Sequence, residues 1–304
     1  MENLVIKAAL VLLLATAILR VHLRGRVRHS LRHQVFDHSS VAAPLNVLMY
    51  AFSSVPETPF LPVSAFPDLK YLQSHWQEIR DEGARLLQAQ EIRAAQHNDD
   101  AGFNSFFKYG WKRFYLKWYG ESHPSAETLC PRTTALLRNL PSVKAAMFAW
   151  LPDGGKLNPH RDPYAGSLRY HLGLITPNDD RCYIEVDGVR YSWRDGEGVV
   201  FDETYIHRAE NHSGKGRLIL FCDIERPMRY RWASAVNRWV GLHIVAAASS
   251  PNHDGDHLGL ISRLFRYADW VGEQRKRFKR WNPRIYRATR VALILTVAGL
   301  FFLI

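Results

Sequence analysis

Two histidines and an aspartate in the middle of the chain form the pattern with the most chemical content. His160 and Asp162 are separated by one residue, and His207 follows later in the chain. Two imidazoles and one carboxylate are the ligands of the facial triad, which binds Fe(II) and leaves positions open for a co-substrate and O₂. Shortly afterwards Arg217 offers a guanidinium, which matches an organic carboxylate as a bidentate partner. The pattern predicts an iron site with an organic acid bound beside it.

A second cluster competes with this interpretation. The segment His253–His257 contains two histidines and two aspartates within five residues. It has no distant further ligand and no predicted strand to fix its geometry, whereas a metal site needs a rigid support. We therefore interpret it as a polar loop between two helices.

Strand periodicity supports the first pattern. Asp162 lies two residues after His160, so both side chains point to the same side of an extended segment. Arg169 and His171 share one face of their predicted strand in the same way. A buried arginine is costly unless it is paired with an anion. Together with Arg217, this pattern predicts a bound dianion beside the metal ligands.

Short strands and tight turns dominate residues 143–224. The predicted strands are Met147–Leu151, Arg169–Ile175, Arg181–Val186, Val189–Trp193, Val199–Phe201 and Leu218–Ile224. The Asp187-Gly188 pair predicts a type I′ hairpin, and His207 is expected to open a loop after the preceding strand. Such a pattern favours a mainly β core, a jelly-roll or barrel, over a parallel α/β sheet.

Helical patterns flank this core. Pro67–Gln96 has apolar residues at helical spacing, and we predict one helix there. The aromatic-rich segment Phe103–Tyr119 is interpreted as core strands rather than as a surface that stacks nucleic-acid bases. After Pro227, Tyr230–Ala248 and Leu258–Trp281 are basic and helical. Basic helices with Trp and Leu are typical of membrane surfaces; the alternative is a solvated cationic face packed on the core.

Composition and charge indicate where in the cell the protein lies. The chain has 304 residues, 47% of them hydrophobic, and a net charge of +11. Residues 226–290 hold 14 basic against four acidic side chains, next to an apolar terminus, which favours lipid phosphates and argues against a nucleic-acid partner. The cysteines, Cys130, Cys182 and Cys222, are too few and too widely spaced for a disulfide framework or a zinc site.

Both termini are apolar. Leu4–Val21 would form a helix of roughly 27 Å, enough to cross hydrocarbon, so we predict a transmembrane anchor; the alternative is a cleaved signal peptide. Val291–Ile304 is shorter and predicts a transmembrane or interfacial helix. The basic flanks of both segments face the middle of the chain, which the positive-inside rule places in the cytoplasm.

These patterns divide the chain into five predicted segments. They are an N-terminal transmembrane anchor at 1–22, a basic juxtamembrane linker at 23–65, a catalytic domain at 66–226 with its β core at about 143–226, a basic helical membrane-facing region at 227–290, and a C-terminal transmembrane or interfacial helix at 291–304. The oligomeric state is left open.

From about Phe66 to Pro227 the chain resembles the aspartyl/asparaginyl β-hydroxylase family of Fe(II)/2-oxoglutarate dioxygenases. The matching residues are Asn158–Pro163, Ser167–Leu174, Val200–Glu203, His207 and Arg217–Leu220. The resemblance implies a double-stranded β-helix (jelly-roll, cupin-like) core with His160, Asp162 and His207 on iron. It also implies that Arg217 binds the distal carboxylate of 2-oxoglutarate, with Arg169 and His171 near its other end.

Asp162 indicates which branch of this family the chain resembles most. Animal peptide hydroxylases of this family have glycine at that position, and a serine co-substrate contact on the strand that here carries Met147, Phe148 and Ala149. The membrane-anchored bacterial lipid A 2-hydroxylases are more similar in length, apolar termini and the His-x-Asp pair. Membership of that branch implies hydroxylation of C2 of a fatty acyl chain of lipid A or its precursor, at the cytoplasmic face of the inner membrane.

Two alternatives remain open at this point. The same iron chemistry could act on an ornithine-type aminolipid or on peptide Asp and Asn residues. A chain from another class would be a membrane-docked, cupin-like module that binds an anion without catalysis.

Overall fold

The computed structural model describes residues 2–95 and 97–303, so Met1, Gln96 and Ile304, at which three predicted segments begin or end, lie outside the described residues. The strands are β1 (Phe60–Leu61), β2 (Lys112–Trp118), β3 (Glu121–Ser122), β4 (Val143–Leu151), β5 (Lys156–His160), β6 (Ser167–Ile175), β7 (Cys182–Val186), β8 (Val189–Ser192), β9 (Gly198–Phe201), β10 (His207–Asn211) and β11 (Arg217–Glu225). The helices are α1 (Glu2–His22), α2 (Leu31–Phe36), α3 (His38–Val41), α4 (Ala43–Ala51), α5 (Pro67–Ser74), α6 (Trp76–Gln88), α7 (Asn104–Phe107), α8 (Pro124–Leu129), α9 (Pro131–Arg138), α10 (Arg231–Val240), α11 (Leu260–Phe265), α12 (Ala268–Trp281) and α13 (Pro283–Leu303).

Two antiparallel sheets form the core. The major sheet has the order β1-β9-β6-β11-β4-β2-β3, and the minor sheet has the order β5-β10-β7-β8. Met147 and Ile219 of the major sheet pack with Ile184 and Ala209 of the minor sheet in one buried cluster, so the sheets face each other. This is the predicted mainly β, jelly-roll architecture.

Residue alternation along the central strands separates two environments. In β11 the outer face carries apolar residues that pack under helices, namely Leu218, Leu220, Cys222 and Ile224. The inner face carries Ile219 and Phe221, which pack between the sheets. Period-two alternation places Arg217 and Asp223 on that same inner face. The strand therefore delivers one cation and one carboxylate to the space between the sheets.

Helices α5, α6 and α9 cover the outer face of the major sheet through Leu72, Ile79, Leu86 and Leu137. The single helix predicted for Pro67–Gln96 is wrong, because the chain leaves helical geometry at His75 and α6 ends at Gln88. The hydroxyl of Ser74 donates to the carbonyl of Tyr71 there, which satisfies a carbonyl of the last turn of α5.

The hairpin prediction is confirmed. Asp187 and Gly188 have φ angles of 51° and 82°, the left-handed values that a type I′ turn requires at both central positions. The prediction that His207 opens a loop is wrong, because His207 begins β10. Along β10 buried and half-buried residues alternate, but the half-buried outer positions hold the charged residues Arg208 and Glu210. The sequence of this strand therefore lacks the hydrophobic pattern from which a strand is predicted.

The aromatic segment is part of the core, as interpreted. Phe103, Trp111, Tyr115 and Trp118 are buried between the sheets. The segment is a short helix, α7, followed by strand β2, so it has one strand rather than several. Burial of these rings removes the stacking surface for bases. All three cysteines are free and buried.

Helix α1 is joined to the domain at its C-terminal end. Ala17 and Val21 are buried against Met49 of α4 and Val240 of α10. Among the described residues, one helix, Leu4–His22, is long and apolar enough to cross a membrane, and 11% of its apolar window is buried. The membrane-facing role predicted for the basic helices stays a prediction. Within the predicted helix Tyr230–Ala248, α10 ends at Val240 and a π-helical turn follows at Gly241–Val245.

Candidate active site

The three predicted iron ligands lie together where β5 ends and β10 begins. His160 is the last residue of β5 and pairs across the ladder with His207, the first residue of β10. Their imidazole centroids are 4.2 Å apart, and His160 Nε2 lies 3.6 Å from Asp162 Oδ1. One ligand atom from each of the three side chains lies within 4.8 Å of the others.

Backbone carbonyls fix the orientation of both imidazoles. His160 Nδ1 lies 2.7 Å from the carbonyl oxygen of Asn158, and His207 Nδ1 lies 3.0 Å from that of Tyr205. A carbonyl only accepts, so each Nδ1 carries the proton and each Nε2 keeps its lone pair for a metal. Burial lowers the pKa of both groups, that of His207 to about 3, so both are neutral at neutral pH.

Asp162 supplies the negative charge of the set. Burial alone would raise its pKa, but Arg169 and the two histidines hold it down at about 2. Its main-chain N–H donates to the carbonyl of Glu203 at 2.9 Å, which fixes the loop after β5 to the loop before β10. Two neutral imidazoles and one ionised carboxylate are the donor set that Fe(II) requires.

Arg169 orients that carboxylate. Its guanidinium lies 2.6 Å from Asp162 and 3.1 Å from Asp223, and it also pairs with Glu203. It lies over the ring of Phe221 at 3.8 Å. Burial raises the pKa of Glu203 and of Asp223, while the Arg169 guanidinium beside them acts in the opposite direction. These contacts make Arg169 a positioning residue for Asp162, and its assignment to the co-substrate stays a prediction.

The carboxylates behind Asp162 were not among the predicted site residues. Tyr119 donates to Asp223 at 3.1 Å, and Ser167 donates to Glu203 at 2.6 Å. The position of Asp223 on the inner face of β11, at period two from Arg217, was a usable signal for a buried carboxylate. The part played by Glu203 and Tyr119 depends on contacts between distant segments and had no local signal.

Arg217 is a buried cation that meets no anionic partner among the residues that the structure describes. Its side chain is 2% exposed and stacks on Trp193 at 4.1 Å. Within residues 2–95 and 97–303 no carboxylate lies within ion-pair distance of it, and its Nε has no hydrogen-bond partner. Burial lowers its pKa to about 10, so it is still charged at neutral pH. Such an arrangement calls for an anion from outside the chain.

His171 completes the polar part of the same cavity. Both of its ring nitrogens are buried and lack a hydrogen-bond partner in the part of the chain that is described. Its ring stacks on Phe221, and burial lowers its pKa well below the usual value. The cavity has about 460 Å³ of space free of protein atoms, its mouth included, and is lined by the three ligands, Arg169, Arg217, His171 and aromatic side chains. The donor set and the unpaired cation therefore fit an Fe(II) ion and a dicarboxylate.

The competing cluster has a structural role, as interpreted. Asp256 accepts hydrogen bonds from the N–H groups of Ser125 and Asn252, and its side chain also accepts from the Ser125 hydroxyl at 2.6 Å. His253 pairs with Glu91 at 2.9 Å. These contacts fix the loop between the two helical regions to the core.

The chain is similar in sequence to known hydroxylases. A sequence profile described as aspartyl/asparaginyl β-hydroxylase matches residues 73–227. The ornithine lipid ester-linked acyl 2-hydroxylase of Rhizobium tropici is 31% identical over 192 residues, which cover 62% of this chain and 68% of that protein. The human aspartyl/asparaginyl β-hydroxylase is 26% identical over 164 residues, which cover 52% of this chain and 21% of that protein.

One solved structure that aligns with part of this chain is a prolyl-4-hydroxylase from Pseudomonas putida. It aligns with a TM-score of 0.34 and 18% identity, over 51% of this chain and 88% of that one.

Proposed function

The chain belongs to the aspartyl/asparaginyl β-hydroxylase family, and from this premise we propose that it hydroxylates C2 of a fatty acyl chain of a membrane lipid. The predicted family, the jelly-roll core, the hydroxylase class and the use of Fe(II), 2-oxoglutarate and O₂ are confirmed. The non-catalytic alternative is therefore dropped. The lipid substrate and the roles of individual residues are the proposal.

His160, Asp162 and His207 would hold the iron through His160 Nε2, His207 Nε2 and a carboxylate oxygen of Asp162. With 2-oxoglutarate and O₂ the bound iron supplies an oxidant that breaks an unactivated C–H bond, while 2-oxoglutarate is converted to succinate and CO₂. The protein keeps both imidazoles neutral and the carboxylate ionised, so metal binding displaces no proton from these groups at neutral pH.

Arg217 would bind the far carboxylate of 2-oxoglutarate. A buried guanidinium that has no anionic partner in the described part of the chain pairs well with a carboxylate, and stacking on Trp193 fixes its plane. His171 would donate or accept beside it. Phe106 packs on the ring of His160 at 4.8 Å, and with Trp111 it lines the cavity. These apolar walls exclude water and suit a hydrocarbon chain.

One observation carries the choice of a lipid. Arg161, between two proposed ligands, donates its Nη1 to the carbonyl of Val21 in the last turn of α1 at 2.6 Å. If α1 spans the bilayer, the reacting centre lies at the membrane surface, where an acyl chain can reach it. The guanidinium of Arg169 is occupied by carboxylates of the chain, which disfavours its pairing with the carboxylate of a peptide Asp residue.

Two headgroups remain candidates. The sequence resemblance favours lipid A or its precursor, and the similarity to an enzyme named for ornithine lipid favours an aminolipid. The basic flank of α1 supports a catalytic domain at the cytoplasmic face of the inner membrane. In both cases one oxygen atom is added to the acyl chain, so one experiment that detects this oxygen shows which lipid carries it.

The test is mass spectrometry of lipid extracts from cells with and without the gene, with a His207→Ala variant as control. Gain of one oxygen on lipid A, absent in the variant, supports the first headgroup, and the same gain on an aminolipid supports the second. Unchanged lipids, with succinate release retained in the purified protein, would overturn the lipid proposal. Release that persists in the His207→Ala variant would overturn the ligand assignment.

A further inference from the structure

A second group of metal-ligating side chains lies in the segment that follows α1. His29 precedes α2, His33 lies within it and Asp37 caps its C-terminal end. One ligand atom from each lies within 4.8 Å of the others, the same limit that the proposed iron ligands meet. We propose that these three side chains bind a transition-metal ion, best matched by zinc, at a site separate from the iron centre and independent of the proposed function.

The three side chains converge around the short helix α2. His33 lies within the helix, His29 lies before its N-cap residue Ser30, and Asp37 is the C-cap residue, with extended backbone angles. The rings of His29 and His33 have centroids 4.2 Å apart and are tilted by 41°. Zinc lies about 2.0–2.1 Å from its nitrogen and oxygen ligands, so atoms around one ion are at most about 4 Å apart. Small side-chain rotations would close the site, and water would complete its tetrahedron.

The ligand atoms are available. His29 Nε2 is buried and has no hydrogen-bond partner among the described residues. Asp37 Oδ1 accepts the N–H of Ser39 at 2.9 Å, which leaves Oδ2 for a metal. The surrounding segment is already ordered, since the amide of the buried Gln34 donates to the hydroxyls of Ser39 and Ser40 at 3.1 Å. A preformed frame of this kind lowers the entropy cost of binding.

The neighbourhood selects the kind of cation. Arg26, Arg28 and Arg32 surround the segment in sequence, and Arg161 acts electrostatically on His29. Mg²⁺ and Ca²⁺ depend on several oxygen ligands, and a single carboxylate among arginines does not suit them. Two imidazoles suit zinc, copper or nickel, which bind nitrogen strongly. The site therefore excludes hard cations and accepts borderline transition metals.

The proposed site is positioned to stabilise the iron loop. His38, next to Asp37, donates its Nε2–H to the carbonyl of Arg161 at 3.1 Å. Arg161 lies between two proposed iron ligands. An ion that fixes Asp37 also fixes His38, and through it the loop after β5.

The test counts metal ions on the full-length chain in detergent. Protein stripped of metal is dialysed against zinc, and zinc per chain is measured by elemental analysis; cobalt substitution gives the visible absorption of a tetrahedral site. We expect two ions on the wild type, one on His33→Ala, one on His207→Ala and none on the double variant. His33 is exposed, so its replacement leaves the fold intact.

A second variant separates charge from structure. Asp37→Asn keeps an oxygen that accepts from Ser39 but loses the ionised ligand, and we expect zinc affinity at this site to fall about tenfold or more. The control His75→Ala, at a half-buried histidine between α5 and α6, should keep both ions. A zinc count that is the same in His33→Ala as in the wild type, or wild-type affinity in both His33→Ala and Asp37→Asn, would overturn the proposal.

Discussion

Arg161 donates to the carbonyl of Val21, which ties the loop between two proposed iron ligands to the end of α1. The loop before the third proposed ligand, His207, is attached to the same helix end. Arg24, just beyond α1, pairs with Asp202 at 2.7 Å and also bonds the hydroxyl of Thr204. The C-terminal end of α1, the candidate membrane helix, therefore helps to position the loops next to the proposed iron ligands.

Replacing Arg24 should therefore affect iron binding as well as stability. Its guanidinium lies at about 4 Å from the rings of Tyr50 and Tyr205, and its side chain and that of Asp202 are each 1% exposed. Arg24→Ala leaves Asp202 paired with Arg226 alone, and we expect a loss of about 2–3 kcal/mol of unfolding free energy. Denaturant titration and iron affinity, measured in detergent, check both effects.

Arg20 provides the matched control. It lies one turn earlier on α1 and pairs with Glu57 at the surface, with both side chains more than a third exposed. Exposed ion pairs contribute less than about 1 kcal/mol, so Arg20→Ala should leave iron affinity unchanged. Equal iron affinity in the Arg24 and Arg20 variants would contradict a positioning role for Arg24.

Asp162→Asn should remove iron binding while the fold persists. The substitution keeps the side-chain volume and removes the only negative charge among the three proposed ligands, and Arg169 still has Glu203 and Asp223 as partners. We expect iron affinity to fall by about a hundredfold or more, with little change in melting temperature. Iron titration of the stripped protein tests this, and unaltered affinity would exclude Asp162 as a ligand.

The sequence predicted which side chains meet in the candidate site better than the elements that hold them. His160, Asp162 and His207 come together as expected, because metal ligands and apolar central strands leave local patterns. Strands β5 and β10, which carry the two histidines, were missed. Only a few residues of β5 are apolar, and charged side chains occupy the outer positions of β10.

The other features of the site depend on pairing between distant segments and could not be predicted from the sequence. The place of Arg169 beside the co-substrate stays a prediction; the sequence shows that this side chain faces the interior but not which carboxylates of the chain it meets. Its three carboxylate partners come from the loop after β5, the loop after β9 and strand β11. Only the fold brings these together, so periodicity alone gave no way to distinguish a ligand-binding arginine from a positioning one.

Arg217→Met should separate binding from stability. Removing a buried cation that pairs with no anion among the described residues relieves its desolvation cost, so we expect the melting temperature of the iron-free protein to stay equal or rise. Affinity for 2-oxoglutarate should fall about 10–100-fold, since a charged hydrogen bond contributes about 1.5–3 kcal/mol. Thermal melts and 2-oxoglutarate titration test the two halves, and a large loss of stability would show that Arg217 has a structural role instead.

Acid should destabilise the protein through His123, away from the iron site. This side chain is fully buried, both of its ring nitrogens lack hydrogen-bond partners among the described residues, and burial lowers its pKa from 6.5 to about 4. The unfolded chain binds a proton near pH 6.5 and the folded chain does not. Stability from this group is therefore complete above pH 6.5 and declines as pH falls towards 4.

Between pH 6.5 and pH 5 this difference amounts to about 2 kcal/mol for one such group. His123→Leu keeps a buried side chain of similar size and removes the titration, so its unfolding free energy should fall by about 2 kcal/mol less than that of wild type over this range. Urea unfolding at pH 6.5 and pH 5 measures both proteins without iron. Parallel losses in the two proteins would mean that His123 is protonated in the folded state, because only a group that stays neutral in the fold contributes this dependence.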